Sequence, residues 1–553
     1  MGAVSEHGVV FRQDDNGVAE RKLRFGKTAR QRVVEDLDCE CTGSSALAME
    51  RLAMKSAFAS KMNRKPKPDT QTRRQLLRLT AAGAASMTVG GISLAQAAVS
   101  RSADRDVLDV VIIGAGLAGL TAGRDLQLAG CDSFVVLEAR NRVGGRTFNH
   151  DLGHGVVSEA GGQWIGPTQT AIFDLARELE IDTFPSWYAG KSVVFAGDAA
   201  LAQDFHGTAG GDDAIHDRLS ELARGVPSGA PWKAQHLAEL DRLSYGEWLR
   251  QQGVKYEEGY FLSLAARLTT GGTSAQLGLL HYLSMINSAG CNFQQLEAFK
   301  GGAQETRIVG GSQRLSLKMA ELLGDKIRLS SPVRKISGWD RDVVEVHTDR
   351  GSVKARRVIV AMNPALCNQV AFDPPLPEGR AQLQQNWPTN APMRKTVHVY
   401  DKPFWRDAGY SGVIFQVGGP VFMAYDNSPP DASVGVIAAF VAPGMLSSDP
   451  VTARDTLSAT YAKAFGDRAR HPTQFHDFDW GKVDPWTLQC IHPIPPGFWS
   501  KWGKYLHPEV GRVIWSGTET ADIWAGAMDG AVRSGHRAAL QALGGFTQRA
   551  TGA

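Results

Sequence analysis

Val107-Leu108-Asp109-Val110-Val111-Ile112-Ile113 runs without a break into Gly114-Ala115-Gly116-Leu117-Ala118-Gly119, and the fold turns on that junction. The first seven residues are apolar and rich in β-branched side chains, which suits a parallel strand buried on both faces. The glycines that follow permit a tight turn and let backbone N–H groups approach a pyrophosphate, so Gly114, Ala115, Gly116 and Gly119 are expected around the phosphates. The helix expected next, Leu120 to Leu128, aims its positive N-terminus at the same anion. A second strand, Ser133 to Leu137, ends at Glu138, roughly twenty residues past the glycines, where a carboxylate accepts both hydroxyls of a ribose and repels a 2′-phosphate. Strand, glycine turn, helix, strand and acid in this order define an α/β, Rossmann-like dinucleotide site and make NADP a poor fit.

Two further blocks say which dinucleotide. Glu138-Ala139-Arg140-Asn141-Arg142-Val143-Gly144-Gly145-Arg146-Thr147 adds a second glycine pair flanked by arginines, so Ala139, Arg140, Gly145 and Arg146 are expected as another backbone turn and a cation beside the diphosphate. Glu159-Ala160-Gly161-Gly162-Gln163-Trp164-Ile165-Gly166-Pro167-Thr168-Gln169 is glycine-rich enough for backbone at Gly162, Gln163 and Trp164 to approach a flat ring system. These three blocks resemble the flavin-containing monoamine oxidase family, which also includes polyamine and L-amino-acid oxidases. Further landmarks follow in the family's order: Val226-Pro227-Ser228-Gly229-Ala230-Pro231-Trp232, Gly301-Gly302-Ala303-Gln304-Glu305, Val309-Gly310-Gly311-Ser312 and Phe372-Asp373-Pro374-Pro375-Leu376-Pro377. The likeness covers about residues 105 to 545, and ordered matches on that scale are far more specific than one glycine motif.

The resemblance implies FAD and a two-domain architecture. An FAD-binding Rossmann-like domain is expected from residues 105–185, 300–385 and 478–546, with an inserted α+β substrate domain from 186–299 and 386–477. Local patterns agree. Leu315 to Leu323 has helical spacing and stops at Gly324, while Val343 to Val346 and Val353 to Val360 flank the turn Asp349-Arg350-Gly351 as a hairpin does. By the resemblance, Val333 sits by the adenine, and Gly517 and Glu519 lie at the ribityl and diphosphate portion. The last helix, expected from Trp524 and carrying Ala527 and Met528, would turn its N-terminal amides toward negative charge on the reduced flavin.

The chemistry is expected from a few side chains. Ala391-Pro392-Met393-Arg394-Lys395, followed by Pro403-Phe404-Trp405, resembles the family's strand whose lysine faces the flavin and holds a water there. Lys395 takes that position. Arg394 is its neighbour, and alternation lets only one of the two point inward. Burial beside an apolar ring would lower the lysine's pKa from about 10.4, because desolvation disfavours the cation. Trp480 matches a tryptophan packed near the flavin. Gln489 stands where some members carry a cysteine linked to the flavin, and Cys490, one residue on, would face the opposite way, so FAD is expected to be noncovalent. Cys490 and Ala527 also replace two aromatic rings that flank the amine in many relatives, which widens the cavity and points to a bulkier or differently oriented amine. Gln304 and Tyr410 match cavity-lining positions, and Arg267 and Leu268 fall near the cavity wall. An inward Arg267 would admit an acidic substrate such as an amino acid.

The reaction so implied is oxidation of an amine to an imine, hydrolysed to aldehyde or ketone, with electrons passed to O2 to give H2O2 or to a periplasmic electron carrier. An L-amino-acid oxidase or flavin desaturase on the same fold, and an FAD-binding protein without catalysis, are the alternatives. The 553 residues carry 60 basic and 57 acidic side chains, a balance without the concentrated basic stripe a nucleic-acid partner requires. Thr72-Arg73-Arg74-Gln75-Leu76-Leu77, a mildly apolar run and Ala95-Gln96-Ala97 have the layout of a twin-arginine export signal across 62–98, too dilute in apolar residues for a stable membrane span. Residues 1–61 show no period, and translation is expected to begin near Met62, leaving them an untranslated or disordered extension. A periplasmic or secreted enzyme follows, and the family makes a homodimer possible. Cys131, Cys291, Cys367 and Cys490 read as free thiols. His150 and His154 are spaced four apart, but glycines around them oppose a helix that would converge them on a metal, so no metal is expected. Neither a G-x-S-x-G elbow nor a C-x-x-C pair occurs.

Overall fold

The computed structural model describes residues 107–389, 394–442, 444–488 and 493–550. The twin-arginine motif, Met62, the Ala-Gln-Ala site, Gln489 and Cys490 therefore lie outside the described residues. Among the described residues, no helix is long and apolar enough to cross a membrane, and no group of three or more His, Cys, Asp or Glu side chains is placed to hold a metal ion. Cys131, Cys291 and Cys367 are free thiols.

The opening junction forms as its residues dictate. Strand Val107–Ile113 pairs in parallel with Phe134–Leu137 on one side and with Gly351–Ala361 on the other, at the centre of an eight-stranded sheet. Val110 to Ile112 are fully buried, which is why the run is apolar throughout and does not alternate. The long strand Gly351–Ala361 starts as the second arm of an antiparallel hairpin with Val344–Thr348 and then pairs in parallel with Val513–Ser516. The β-meander (Val333–Ser337, Val344–Thr348, Gly351–Ala361) thus grows out of the nucleotide-binding sheet itself.

The helix after the glycines spans Leu117–Leu128, three residues earlier than its expected start. Gly119 sits in its first turn, against the strand it has just left. A Cβ at Gly119 would lie 1.9 Å from the Gly114 carbonyl oxygen, and Gly114 itself has φ +103°, a left-handed conformation that favours glycine. This close approach seats the helix N-terminus over the strand end. Helices Gln313–Leu323 and Met528–Ala550 pack against the same element, and together they bury the inner face of the sheet.

A second sheet of seven strands carries the candidate chemistry. Its order is Gln474–Asp479, Arg394–Tyr400, Gly435–Val441, Val421–Asp426, Tyr410–Val417, Lys191–Ala196 and Ala199–Asp204. The two faces of this sheet have different neighbours. Val397, Val399, Met423 and Tyr425 pack with Trp164, Phe299 and Phe440, whereas Tyr400, Trp405, Tyr461 and Phe465 form the opposite core, covered by helix Pro450–Phe465. A helical layer between 213 and 297 packs around Tyr245, Tyr282 and Leu283. Ile494, Phe498, Trp499 and Leu506 join this helical layer, so the chain visits it once more within the stretch expected to belong to the FAD-binding domain.

The Gly119 contact generates a direct test. Gly119→Ala must push the helix off the strand, which is expected to destabilise the protein by about 1–3 kcal/mol, read as a lowered urea unfolding midpoint, and to reduce the cofactor retained on purification.

Candidate active site

The carboxyl ends of the parallel strands open on a cleft of about 1300 Å³, open solvent at its mouth included. One end is walled by Ser331, Val333, Leu366 and Val370, with Glu138, Ala139 and Arg140 beside them. Glu138 is buried. Its Oε2 accepts the Ala115 amide at 2.7 Å and its Oε1 the Arg140 amide at 2.9 Å. A carboxylate has about four acceptor directions, so Glu138 can brace the glycine turn and still receive ribose hydroxyls. Arg140 is locked by Asp484 at 2.8 Å and Thr487 at 2.7 Å. Burial and the charge of Arg140 hold the neighbouring Arg142 guanidinium below its ordinary range.

Midway along the cleft the glycine turns meet. Gly116 and Gly144 form an isolated parallel bridge, and a Cβ on Gly145 would stand 3.2 Å from the Gly116 Cα, so two backbones line the cleft with almost nothing between them. Helix Leu117–Leu128 has neither a side-chain cap nor an acidic residue in its first turn, leaving its positive end turned to the cleft, where Gly116, Leu117 and Ala118 form the wall. Arg146 reaches the same stretch and pairs with Glu519 at 2.7 Å, which Asn363 also contacts at 3.1 Å. Amides, a helix N-terminus and a cation suit a diphosphate. An apolar pocket at one end suits an adenine, and Glu138 suits its ribose, so the residues present fit FAD.

The far end of the cleft is formed by Gly162, Gly526, Ala527 and Met528, with Gly517 and Thr518 leading to it. Ala115, Gly119, Gln163, Trp164 and Glu519 do not themselves line the cleft. The last helix begins at Met528, four residues later than expected, because Trp524 (φ +58°) and Gly526 (φ +91°) interrupt the chain. The later start leaves Ala527 and Met528 at the helix N-terminus and on the cleft. Asp529 in its first turn is neutralised by Arg533 and accepts the Ile172 amide.

Lys395 points inward. It is 1% exposed, its Nζ donates to Gln163 Oε1 at 2.6 Å and to the Gly161 carbonyl at 3.3 Å, and it lies 5.4–5.7 Å from the ring centres of Phe440 and Tyr425. Arg394 takes the other face, where it is bound by Asp477 and by the Leu446 and Ser447 carbonyls. Gln163 also accepts the Tyr425 hydroxyl at 2.8 Å and donates to Asn427. Asn427 in turn contacts Glu159, which is paired with buried Arg307 at 2.7 Å. Tyr425, Asn427, Glu159 and Arg307 thus complete a buried network of which the sequence signalled only Glu159, as the head of a glycine-rich block.

The remaining expected residues divide. Half-buried Trp480 donates its Nε1–H to the Ala160 carbonyl at 2.8 Å and stacks on Phe478, so it braces the Ala160–Gln163 backbone. Gln304 donates its Nε2 to the Leu296 carbonyl at 3.5 Å, and its buried Oε1 is without a partner among the described residues. Tyr410 departs from its expected place. It packs edge-on against Phe465 in the opposite core, on the same face of its strand as Ile414, four residues on, while Val413 and Phe415 face the lysine's side. Arg267 stacks on Phe422 at 3.9 Å, while Leu268 joins the apolar cluster with Trp164. His150 contacts His476 at 3.0 Å.

A nucleotide cleft at the strand ends, joined to a sheet face that carries one buried lysine, defines a class of flavoproteins acting on amines. Residues 117–543 match the family described as flavin containing amine oxidoreductase, and the chain belongs to it; FAD is its cofactor. A Mycobacterium tuberculosis protein named as a flavin-containing monoamine oxidase is 38% identical over 444 residues, covering 78% of this chain and 96% of that relative. An L-amino acid dehydrogenase of Synechocystis is 31% identical, covering 79% and 95%. Among solved structures, putrescine oxidase bound to putrescine has a TM-score of 0.72 at 31% identity, covering 79% of this chain and 99% of its own. Cyclohexylamine oxidase from Brevibacterium oxydans has a TM-score of 0.73 at 28% identity, covering 80% and 100%.

Removing the Glu138 carboxylate takes away an acceptor for the ribose and the brace on the Ala115 amide. Glu138→Ala is therefore expected to weaken FAD by about 10- to 100-fold, measured as flavin released on dilution and recovered by titration with added FAD.

Proposed function

We propose that this protein oxidises an amine at the carbon beside its nitrogen. The observation that carries this reading is the burial of Lys395 on the apolar sheet face, held by Gln163 and directly over backbone that reaches the cleft at Gly162. A bound flavin supplies the acceptor for the electrons and the hydrogen leaving that carbon, and gives the electrons on to O2, yielding H2O2, or to a periplasmic carrier. The chain's own contribution is orientation and exclusion of water. Trp164, Phe299, Tyr425 and Phe440 cluster on the lysine's side of the sheet, and such apolar surroundings favour the unprotonated amine. The unpartnered Oε1 of Gln304 is a ready acceptor for an amine N–H, and Lys395 with Gln163 is suited to hold a water beside the flavin. Ala527, small and on the cleft, leaves room for a bulky amine, and the imine product is hydrolysed to an aldehyde or ketone.

The reading includes noncovalent FAD and export by the twin-arginine route to the periplasm or beyond, supported by the sequence at Gln489-Cys490 and at Arg73-Arg74. A second reading, oxidation of an amino acid, is favoured by the likeness to the L-amino acid dehydrogenase. Against it, Arg267 is already engaged by the ring of Phe422. A role without catalysis would be supported by a lysine turned to solvent, which is not its placement.

Anaerobic mixing with primary, secondary and cyclic amines should bleach the flavin band; bleaching by amino acids alone would select the second reading. Lys395→Met should keep its FAD while one half-reaction slows about 100-fold or more, followed by stopped-flow absorbance. Unchanged rates in both half-reactions would remove the assignment. Lysine at both Arg73 and Arg74 should leave the protein in the cytoplasm, read by cell fractionation.

A further inference from the structure

Beyond the adenine end of the FAD cleft the surface opens into a second basin of about 1070 Å³, open solvent at its mouth included. Leu137 and Ser331 belong to the walls of both. Two arginines, Arg328 and Arg350, line this basin, and no aspartate or glutamate does. Among the described residues neither guanidinium has a hydrogen bond or a carboxylate partner, and the side chains of Ser330 and Asn141 on the same wall have no hydrogen bond. Other arginines of the region are committed: Arg140 to Asp484 at 2.8 Å, and Arg334 to Asp349 through two bonds at 3.0 and 2.8 Å. The second pair explains the sign of the basin. It holds the one acid of the hairpin turn Asp349-Arg350-Gly351 against Arg334 and leaves Arg350 without a counter-charge.

Short, hydrogen-bonded connections deliver these groups. Arg328 ends strand Ile327–Arg328, which pairs in parallel with Phe134–Leu137 so that Arg328 stands opposite Leu137, one residue before the ribose acid. The Arg328 carbonyl accepts the Glu138 amide at 2.9 Å, and the amides of Ser330 and Ser331 donate to the Arg140 and Glu138 carbonyls at 2.8 Å each. Those bonds sustain a left-handed conformation at Ser330, φ +50°, which few residues other than glycine adopt. Half-buried Ile327, Leu329 and Val353 add apolar surface to the same basin.

Guanidinium forks match the oxygens of a phosphate, and hydroxyl and amide donors serve the oxygens that the forks leave free. Apolar lining beside these donors suits a phosphate carried on an organic body better than a bare ion. We propose that this basin binds a phosphomonoester of nucleotide size, with its phosphate on Arg328 and Arg350 and its body on Ile327, Leu329 and Val353. The site does not depend on the amine-oxidising reading. Because residues 328–331 hold Glu138 and Arg140 through their backbone, an occupant that orders this segment also slows the release of FAD.

The test uses the FAD-loaded protein, whose own adenosine site is filled, and titrates it calorimetrically with adenosine monophosphate; adenosine and inorganic phosphate are the comparison arms. The monophosphate should bind at one site, and adenosine at least about tenfold more weakly. Raising salt from about 0.05 to about 0.5 M should weaken the monophosphate, because both guanidiniums are exposed. Inorganic phosphate binding as tightly as the monophosphate would support the anion site and name free phosphate as its source. Arg328→Gln and Arg350→Gln should each weaken binding about tenfold while FAD content and melting temperature are kept. Saturating monophosphate should slow FAD release on dilution in the wild type and not in the double variant. A wild type that binds neither phosphate compound, or binding unchanged in the double variant, overturns the proposal. FAD release unaffected by saturating monophosphate overturns the coupling to Glu138.

Discussion

The hydrogen bond from Lys395 to Gln163 joins the two halves of the molecule at the point where they must agree. Lys395 belongs to the seven-stranded sheet, and Gln163 follows the backbone that lines the cleft beneath the nucleotide-binding sheet. An ammonium in such a place costs several kcal/mol of desolvation unless its donors are satisfied. Gln163, the Gly161 carbonyl and two aromatic rings provide that satisfaction. The price is a demand for geometry, since Gln163 is itself fixed by Tyr425 and Asn427, and Asn427 by the Glu159–Arg307 pair. Networks of this kind stiffen a site when every member is paired. Here the stiffness falls on residues 160–163, which Trp480 and Ser312 hold from outside.

Where Lys395 supplies a fixed side chain, the cleft relies on backbone. Gly114 and Gly119 are there because a Cβ would collide with a carbonyl oxygen, and Gly145 because a Cβ would crowd the opposing turn at Gly116. Their absence of side chains brings amides and a helix N-terminus to the phosphates at short range. The same logic explains why Glu138 is buried without a cost that would unfold the turn: two backbone N–H groups satisfy it before any ligand arrives.

Features that depend on short-range pattern were legible in the sequence. The run Val107–Ile113, the glycine turn, Glu138 and the hairpin at Asp349-Arg350-Gly351 follow from period or turn chemistry, whereas the choice of Lys395 over Arg394 as the inward residue came from the resemblance, alternation saying only that one of the two points inward. What escaped depends on contacts between distant segments or on broken regularity. Arg307 and Asn427 carry no local mark of being buried partners of Glu159 and Gln163. Tyr410 was placed on the cavity by the resemblance alone, whereas alternation puts it with Ile414 on the opposite core. The last helix starts at Met528 because two residues before it adopt positive φ, which apolar spacing does not reveal. Ile494 to Leu506 joins the helical layer through tertiary packing of Phe498 and Trp499, which no linear boundary foretold.

The most direct measurement of this account is a crystal structure of the purified protein with its own cofactor in place. The account predicts FAD along the cleft, with adenine by Val333 and ribose on Glu138. The ring should lie between Gly162 and Met528, with the Lys395 ammonium still bonded to Gln163 beside it. A flavin ring lodged elsewhere, or Lys395 swung out to bulk solvent, would contradict it.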